Sequence, residues 1–322
     1  MPYVPALINR IDGVLAKDEG ASYGVDAAPV AASNGIRISD RIWQRARFYN
    51  LFDNQRDDEA NGGYVPLLQG AAAGFVGELD IGWAARGRGS AYTAGGAANA
   101  IEPGAHDLHA ACGWPGTFSV NLYNYAPITS GARPSATVYV YAAGQLWKLA
   151  GCRGRLRYLW RPGRLTIVRF QIRGLLVGVG TDVALPVITY NTQSPPPATS
   201  TAPAIGTFVP DFTEMELDGG NTVDFIESGA AADGVQSADY GMIKPTWRVK
   251  TKTQSIANYS PLADQRAPTT RALAISQGTA ANNKLSVADT IQPLRQSNEE
   301  QTQFAGYEIS YRGSVPVITY GP

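Results

Sequence analysis

The sequence predicts a mainly β protein in which one module is used twice. Short alternating apolar and polar stretches bounded by Gly, Pro, Asn and Asp run through the chain, and extended helical periodicity is scarce. The third observation is a repeat: Pro186-Val187-Ile188-Thr189-Tyr190 recurs as Pro316-Val317-Ile318-Thr319-Tyr320. A five-residue identity in 322 residues points to an internal duplication. Leu79 to Arg88 carries Trp83, Arg86 and Arg88, and Ile243 to Lys252 carries Trp247, Lys250 and Lys252 at the same spacing.

In chain order, the strands expected are Gly35 to Asp40, Phe75 to Ala85, Thr137 to Tyr141, Gln145 to Leu149, Arg155 to Trp160 and Leu165 to Ile172. A helix is expected over Pro103 to Cys112, with Pro103 in its first turn and Gly113 just past its end. A second is expected over Ser260 to Gln265, with Ser260 as its cap. The stretch from Asn191 to Pro203 is rich in Pro, favours an extended backbone and reads as a linker. The expected organisation is therefore a module over residues 1–178, a linker over 179–206 and a second module over 207–322. Two segments read as long loops: Gln55 to Gly63, polar and acidic, which reads as the tip of a long hairpin, and Ser90 to Asn99, made of small residues.

Composition narrows the function. Basic and acidic residues balance at 27 each, and charged residues make up only 17 % against the usual quarter or so. That disfavours a dedicated nucleic-acid binder and suits a protein that buries surface against copies of itself. Met1 to Arg10 holds Pro2 and Pro5 without a positive-then-apolar signal pattern, and no run reaches membrane-spanning length. Folding in the cytoplasm is the expectation. Cys112 and Cys152 form no disulfide framework or zinc spacing and are expected to be reduced and buried.

Chemistry is hard to place. His106 and His109 lie three apart around Asp107 and would share a helix face, but no third ligand is marked by spacing, which favours packing. There is no nucleophile elbow, P-loop or Gly-rich turn opening a helix. No catalytic residue, metal or cofactor is expected.

The charge pattern is more telling. Lys148 to Arg173 carries eight basic residues and no acidic one, and Asp211 to Asp239 carries eight acidic residues and no basic one. Arg153, Arg155 and Arg157 alternate with Gly154, Leu156 and Tyr158, which puts the arginines on one strand face. If Trp160 opposes Arg164 across the Arg161-Pro162-Gly163-Arg164 turn, Leu156 meets Val168, Tyr158 meets Thr166, and Arg169 and Arg173 join the basic face. Glu214, Glu216 and Asp218 alternate likewise and offer the matching acidic strand across a module or subunit boundary, where they are expected to serve assembly. Phosphate binding is the alternative role for the arginines, but neutral overall charge leaves a weak footprint for nucleic acid. A second assembly element is expected over Arg47 to Leu68: Phe48, Tyr49, Leu51 and Phe52 before the polar tip, and Tyr64, Val65, Leu67 and Leu68 after it, are apolar enough to dock. The tip itself carries Arg56, Asp57, Asp58 and Glu59.

An ordered series of these segments resembles the major tail (tail tube) proteins of long-tailed, siphovirus-type bacteriophages, in their two-module form. The segments are Ala16-Lys17-Asp18-Glu19 leading to Tyr23-Gly24-Val25-Asp26-Ala27-Ala28-Pro29, the Phe75 to Trp83 strand, and Leu108-His109-Ala110-Ala111-Cys112-Gly113-Trp114. They continue through Thr137-Val138-Tyr139-Val140-Tyr141, Trp147 to Gly154, Phe170 to Gly174 and the Pro-rich linker. The resemblance covers most of the first half and the second half in outline, and the insertions at 55–63 and 90–99 depart from it. It implies two tandem tail-tube β-sandwich modules, each with a short helix, whose sheets close into a ring between subunits. The rings stack into a tube that conducts genomic DNA. Two tube modules per chain would supply six modules from three copies, so homotrimeric rings are expected. Contacts with tail tip, tape measure and tail terminator proteins, transient passage of double-stranded DNA and no membrane insertion are further expectations. The place implied is the virion tail, with assembly in the host cytoplasm. The rival readings are a carbohydrate-binding or glycan-hydrolysing β-sandwich and a phage neck or capsid decoration protein. Trp83, Trp147, Trp160 and Trp247 lie in alternating strands rather than clustered in loops, which favours packing over a sugar platform.

Overall fold

Antiparallel strands dominate the computed structural model, which describes residues 6–8, 10–52, 73–178, 180–198, 203–231, 234–252, 259–301 and 304–322. In chain order they are β1 Ala6–Ile8, β2 Gly13–Asp18, β3 Gly35–Ile36, β4 Ile38–Phe52, β5 Ala73–Ala84, α1 Pro103–Ala111, β6 Gly116–Ser119 and β7 Leu122–Tyr125. There follow β8 Ala136–Ala142, β9 Gln145–Trp160, β10 Ile167–Leu176, β11 Thr181–Asp182, β12 Ala204–Ile205, β13 Phe212–Asp218, β14 Val223–Glu227 and β15 Val235–Tyr240. The chain ends with β16 Thr246–Lys252, α2 Pro261–Arg266, β17 Arg271–Gln277, β18 Lys284–Gln301, β19 Phe304–Gly313 and β20 Val317–Gly321. No helix among the described residues is long and apolar enough to cross a membrane.

Both helices begin where the sequence places them. Pro103 occupies the first turn of α1, where its missing N–H is no loss, and Gly113 adopts φ +79° beyond the end. Ser260 Oγ accepts from Ala263 N at 3.3 Å and caps α2.

Two strands expected separately, Gln145 to Leu149 and Arg155 to Trp160, are the ends of one strand, β9. It bends at Gly151, whose φ of +60° L side chains rarely adopt. Before the bend β9 pairs with β8 on one side and with β11 and the end of β10 on the other; beyond it β10 continues and β13 takes the side of β8. β18 also changes partners: its first part pairs with β17 and β20, and from Ile291 onward, across a register shift between Pro293 and Arg295, it pairs with β19. Pro293 has no N–H to give a ladder, so a bulge suits it.

These bends organise the sheet. β4, β5, β10 and β9 lie side by side in that order, and β13, β16, β19 and β18 follow in the same arrangement, the two runs joined by β9 against β13. A single transverse row crosses the joint: Trp83, Val168, Tyr158, Leu217, Trp247, Tyr311 and Pro293 oppose one another in turn. The core is continuous across it, with Trp160 stacked between Tyr158 and Trp247 at centroid distances of 5.5 and 5.8 Å.

Four expectations need correction. The β9–β10 hairpin is shifted by two residues: Val168 opposes Tyr158 and Phe170 opposes Leu156. An even shift keeps every side chain on its expected face, so the arginine face survives. The reason lies at the tip. Arg161 to Arg164 forms a turn with Gly163 at φ +73°, but Leu165 bridges Pro197 and Trp160 pairs with Met215, so the hairpin ends are claimed by the linker and by β13.

The repeated pentapeptide adopts two different states. Its second copy is β20, between β7 and β18, with Ile318 and Tyr320 fully buried. The first copy lies in no strand; Val187 is exposed, and Ile188 packs where a Cβ on Gly13 or Gly35 would come within 2.6 or 2.5 Å of it. The matched tryptophans differ too, since Trp83 stands at the end of β5 and Trp247 near the start of β16.

The linker, finally, is fastened. Gln277 Nε2 donates to Pro196 O at 2.6 Å, Asn283 Nδ2 to Ser194 O at 2.9 Å and Ala198 N to Arg164 O at 2.7 Å. Extended it is, but Pro196 and Ala198 are buried.

Candidate assembly interface

The β4-to-β18 sheet carries its charges on one face, in stripes set by two-residue alternation. β4 presents Arg45 and Arg47, β5 Glu78 and Asp80, β10 Arg169 and Arg173, and β9 Arg153, Arg155 and Arg157. Past the joint, β13 presents Glu214, Glu216 and Asp218, β16 Arg248 and Lys250, and β19 Glu308. From β4 to β16 neighbouring stripes are of opposite sign except β10 and β9, both basic, and β19 carries Arg312 as well as Glu308 on this face. β10 and β9 are each neutralised from the other side, by β5 and by β13.

Within one chain the joint brings together most of the expected residues. Asp218 accepts from Arg155 Nε at 2.7 Å and from its Nη2, and lies 3.1 Å from Arg157 Nε. Glu216 pairs with Arg248 and, at 3.5 Å, with Arg157. Glu214 instead takes Arg161 at 2.7 Å and Arg248 at 3.5 Å. Arg153 meets none of the three; it pairs with Asp239 at 3.1 Å and lies over the Tyr23 ring. The reach of the acidic run beyond Asp218 is explained by the β14–β15 hairpin, which lies over this end of the sheet: Arg173 pairs with Asp224 at 3.5 Å and donates to Val223 O at 2.6 Å. Between the hairpin and the sheet runs a groove of about 440 Å³, lined by Arg45, Arg47, Arg155, Arg173, Asp80 and Asp224 among others.

The expected docking segment divides. Phe48 belongs to the core, fully buried and stacked on Trp147 at 4.4 Å, so it has no surface to offer a partner. Strand alternation is the reason: Phe48 points inward and Arg47 and Tyr49 outward. Tyr49 is half-buried and donates to Glu78 at 3.0 Å, with the Arg47 guanidinium over its ring. β4 and β5 form the flanks of the expected hairpin, Phe52 opposing Ala73. Asp57, Asp58 and Tyr64 lie outside the described residues.

Behind the charged face, a polar chain that sequence reasoning missed ties the halves together. His109 Nδ1 donates to Ala105 O at 2.6 Å, so its Nε2 accepts, taking the Tyr158 hydroxyl at 2.5 Å; Tyr320 donates to Tyr158 at 3.1 Å. His106 meets the Tyr125 hydroxyl at 2.7 Å. Burial lowers His109 to about 3 and His106 to about 4, and raises Asp107 to about 7. Three residues apart on a helix was the visible signal for the histidines; their tyrosine partners come from β7, β9 and β20. Nearby, Glu102 is buried and accepts from Trp83 Nε1 at 2.6 Å and Arg37 N at 2.9 Å, and desolvation raises its pKa. Cys112 and Cys152 are buried and reduced, their thiols pushed up by burial.

The repeated run leaves two ends. Beyond Leu294, whose carbonyl accepts from Gln265 Nε2, β18 is paired on one side by β19, and no described strand pairs its other side. At the opposite end β4 pairs with β5 and, over Ala46–Phe48, with β1. No family model matches this chain, and no curated protein sequence matches it either.

Proposed function

We propose that this chain is a structural subunit of a phage-type tail tube, which assembles with copies of itself into stacked rings and conducts genomic DNA into the host cell. The observation that carries the reading is the repeated four-strand order in a sheet whose outer β18 has no described strand on its far side and whose outer β4 is covered, among the described residues, by β1 over Ala46–Phe48 alone. β4 and β18 run antiparallel to each other, as β13 and β9 do, so the end of one copy can continue into the beginning of the next as β9 continues into β13. Repeated around an axis, that contact closes a ring and removes both edges, the usual remedy for exposed β edges.

Two tandem tail-tube modules per chain make a homotrimer the expected ring, three copies supplying six modules. Tail tip, tape measure and terminator proteins are the expected partners, the virion tail the expected place and the host cytoplasm the site of assembly. The rival sugar-binding reading loses its platform: Trp83, Trp160 and Trp247 are fully buried, and Trp147 is covered by Phe48.

Negative-stain images of the purified protein test the reading, with rings or tubes expected. Mass measurement on isolated rings should give three chains. Six chains would sink the functional role of the duplication, and a persistent monomer at all concentrations and salts would sink the tube itself.

A further inference from the structure

The two halves can be superposed residue by residue along their hydrogen-bonded rows. In the first, Arg47 opposes Glu78, Glu78 opposes Arg173, and Arg173 opposes Arg153, where β9 leaves its bend. In the second, Glu216 opposes Arg248, Arg248 opposes Ser310, and Ser310 opposes Arg295, where β18 leaves its bulge. Arg47 of β4 is thus the counterpart of Glu216 of β13, and the outer part of β18 is the counterpart of the outer part of β9.

Glu216 has Leu159 of β9 on its far side. Arg47 has Leu7 of β1, in an antiparallel ladder that also pairs Ala6 with Phe48 and Ile8 with Ala46. Within the chain, β1 therefore sits on β4 in the place and direction that β9 takes on β13, and that β18 of another copy would take. Among the described residues the ladder of β1 comprises three residue pairs, with no ion pair to reinforce it. The β9–β13 joint has four pairs, hydrogen bonds from Gly219 N to Leu156 O and from Asn221 Nδ2 to Gly154 O, and the Arg155, Arg157 and Asp218 cluster.

We propose that β1 is a placeholder strand: it covers the β4 edge in the free subunit and is exchanged for the end of β18, around Glu299-Glu300-Gln301, of a second copy when subunits join. This rests on the ring reading above. Charge favours the exchange. At the internal joint a basic β9 meets an acidic β13; here β4 offers exposed Arg45 and Arg47 to a strand end whose sequence is acidic. A covered edge also keeps the free subunit from pairing with unrelated strands.

Amide exchange on the full-length protein, free and in rings, tests the exchange directly. Ala6 to Ile8 should be protected in the free subunit and at least tenfold less so in rings, while Ala46 to Phe48 stay protected in both. Deleting residues 2–9 removes the competitor and should lower the protein concentration needed for ring formation by about tenfold, as expected when a self-occupied state is abolished. Rings in which Ala6 to Ile8 keep their protection overturn the placeholder and leave the tube reading standing. Absence of rings from both proteins overturns both. Should the deletion variant fail to fold, the exchange measurement on the intact chain still decides.

Discussion

Asp218 grips Arg155 with both carboxylate oxygens, one on Nε and one on Nη2, across the line where the two four-strand runs meet. The pair is largely covered, Asp218 being 15 % exposed, and Arg157 adds a second cation to the same carboxylate. Such a cluster holds strand against strand within the chain.

Reversing Asp218 to Arg should therefore destabilise the fold itself by about 3 kcal/mol, because two guanidinium groups lose their partner and meet a third in a partly covered site. Urea unfolding of the wild type, Asp218→Arg, Arg155→Asp and the double variant gives the coupling. A double variant no more stable than the sum of its parts would show that the pair contributes nothing specific. Reversal at Glu214, paired only with the half-exposed Arg161 and Arg248, should cost about 1 kcal/mol or less.

Acid should weaken the fold through the buried histidines. His109 and His106 titrate near 3 and 4 in the fold against 6.5 when free, so between those limits the unfolded chain binds more protons. Their contribution is fully present above pH 6.5 and is lost as pH falls toward 3, at up to about 1.4 kcal/mol per pH unit for each histidine. Asp107, raised to about 7 by burial, acts in the other direction: its folded form holds a proton the unfolded chain releases, so its contribution falls as pH rises from 3.8 toward 7. The His109→Phe variant should show a shallower loss of unfolding free energy between pH 6 and pH 4 than the wild type. Parallel curves would remove His109 from the acid response.

Truncating Glu102 to Ala should cost about 2–4 kcal/mol, since it leaves the Trp83 and Arg37 N–H groups without an acceptor and Arg86, at 4.0 Å, without its counter-charge. Glu102→Gln keeps an acceptor and should recover part of that loss. Thermal unfolding compares the three; equal midpoints for Ala and Gln would assign the effect to charge alone.

A Gly151→Ala change tests the bend of β9. The added Cβ would stand 2.5 Å from the Tyr23 hydroxyl on a backbone at φ +60°, and a loss of about 2 kcal/mol or more is expected. Wild-type stability would show that the strand can bend without glycine there.

Deleting Arg56 to Asn61 should leave a folded, soluble protein whose rings stack poorly, because the paired flanks, Phe52 against Ala73, lie outside the deletion. Sedimentation separates rings from tubes. Normal tubes from the deleted chain would end the stacking role of this segment.

Local signals in the sequence determined strand character, both helix starts and the face on which the arginines lie, because a period of two, a cap and a proline each act within a few residues. Even the misread hairpin kept its faces, since its error was an even number of residues. Tertiary structure alone decided the rest. Whether Pro-Val-Ile-Thr-Tyr becomes a strand depends on β7 and β18 waiting beside the second copy, whereas no described strand pairs with the first. The Arg153 to Arg157 face and the acidic run announced each other through charge, but which carboxylate meets which guanidinium follows from register across β9 and β13, and Phe48 was lost to the core by the same alternation that exposes Arg47. The meeting of His109, Tyr158 and Tyr320 had no sequence signal at all: it joins residues up to 211 positions apart, brought together by the sheet.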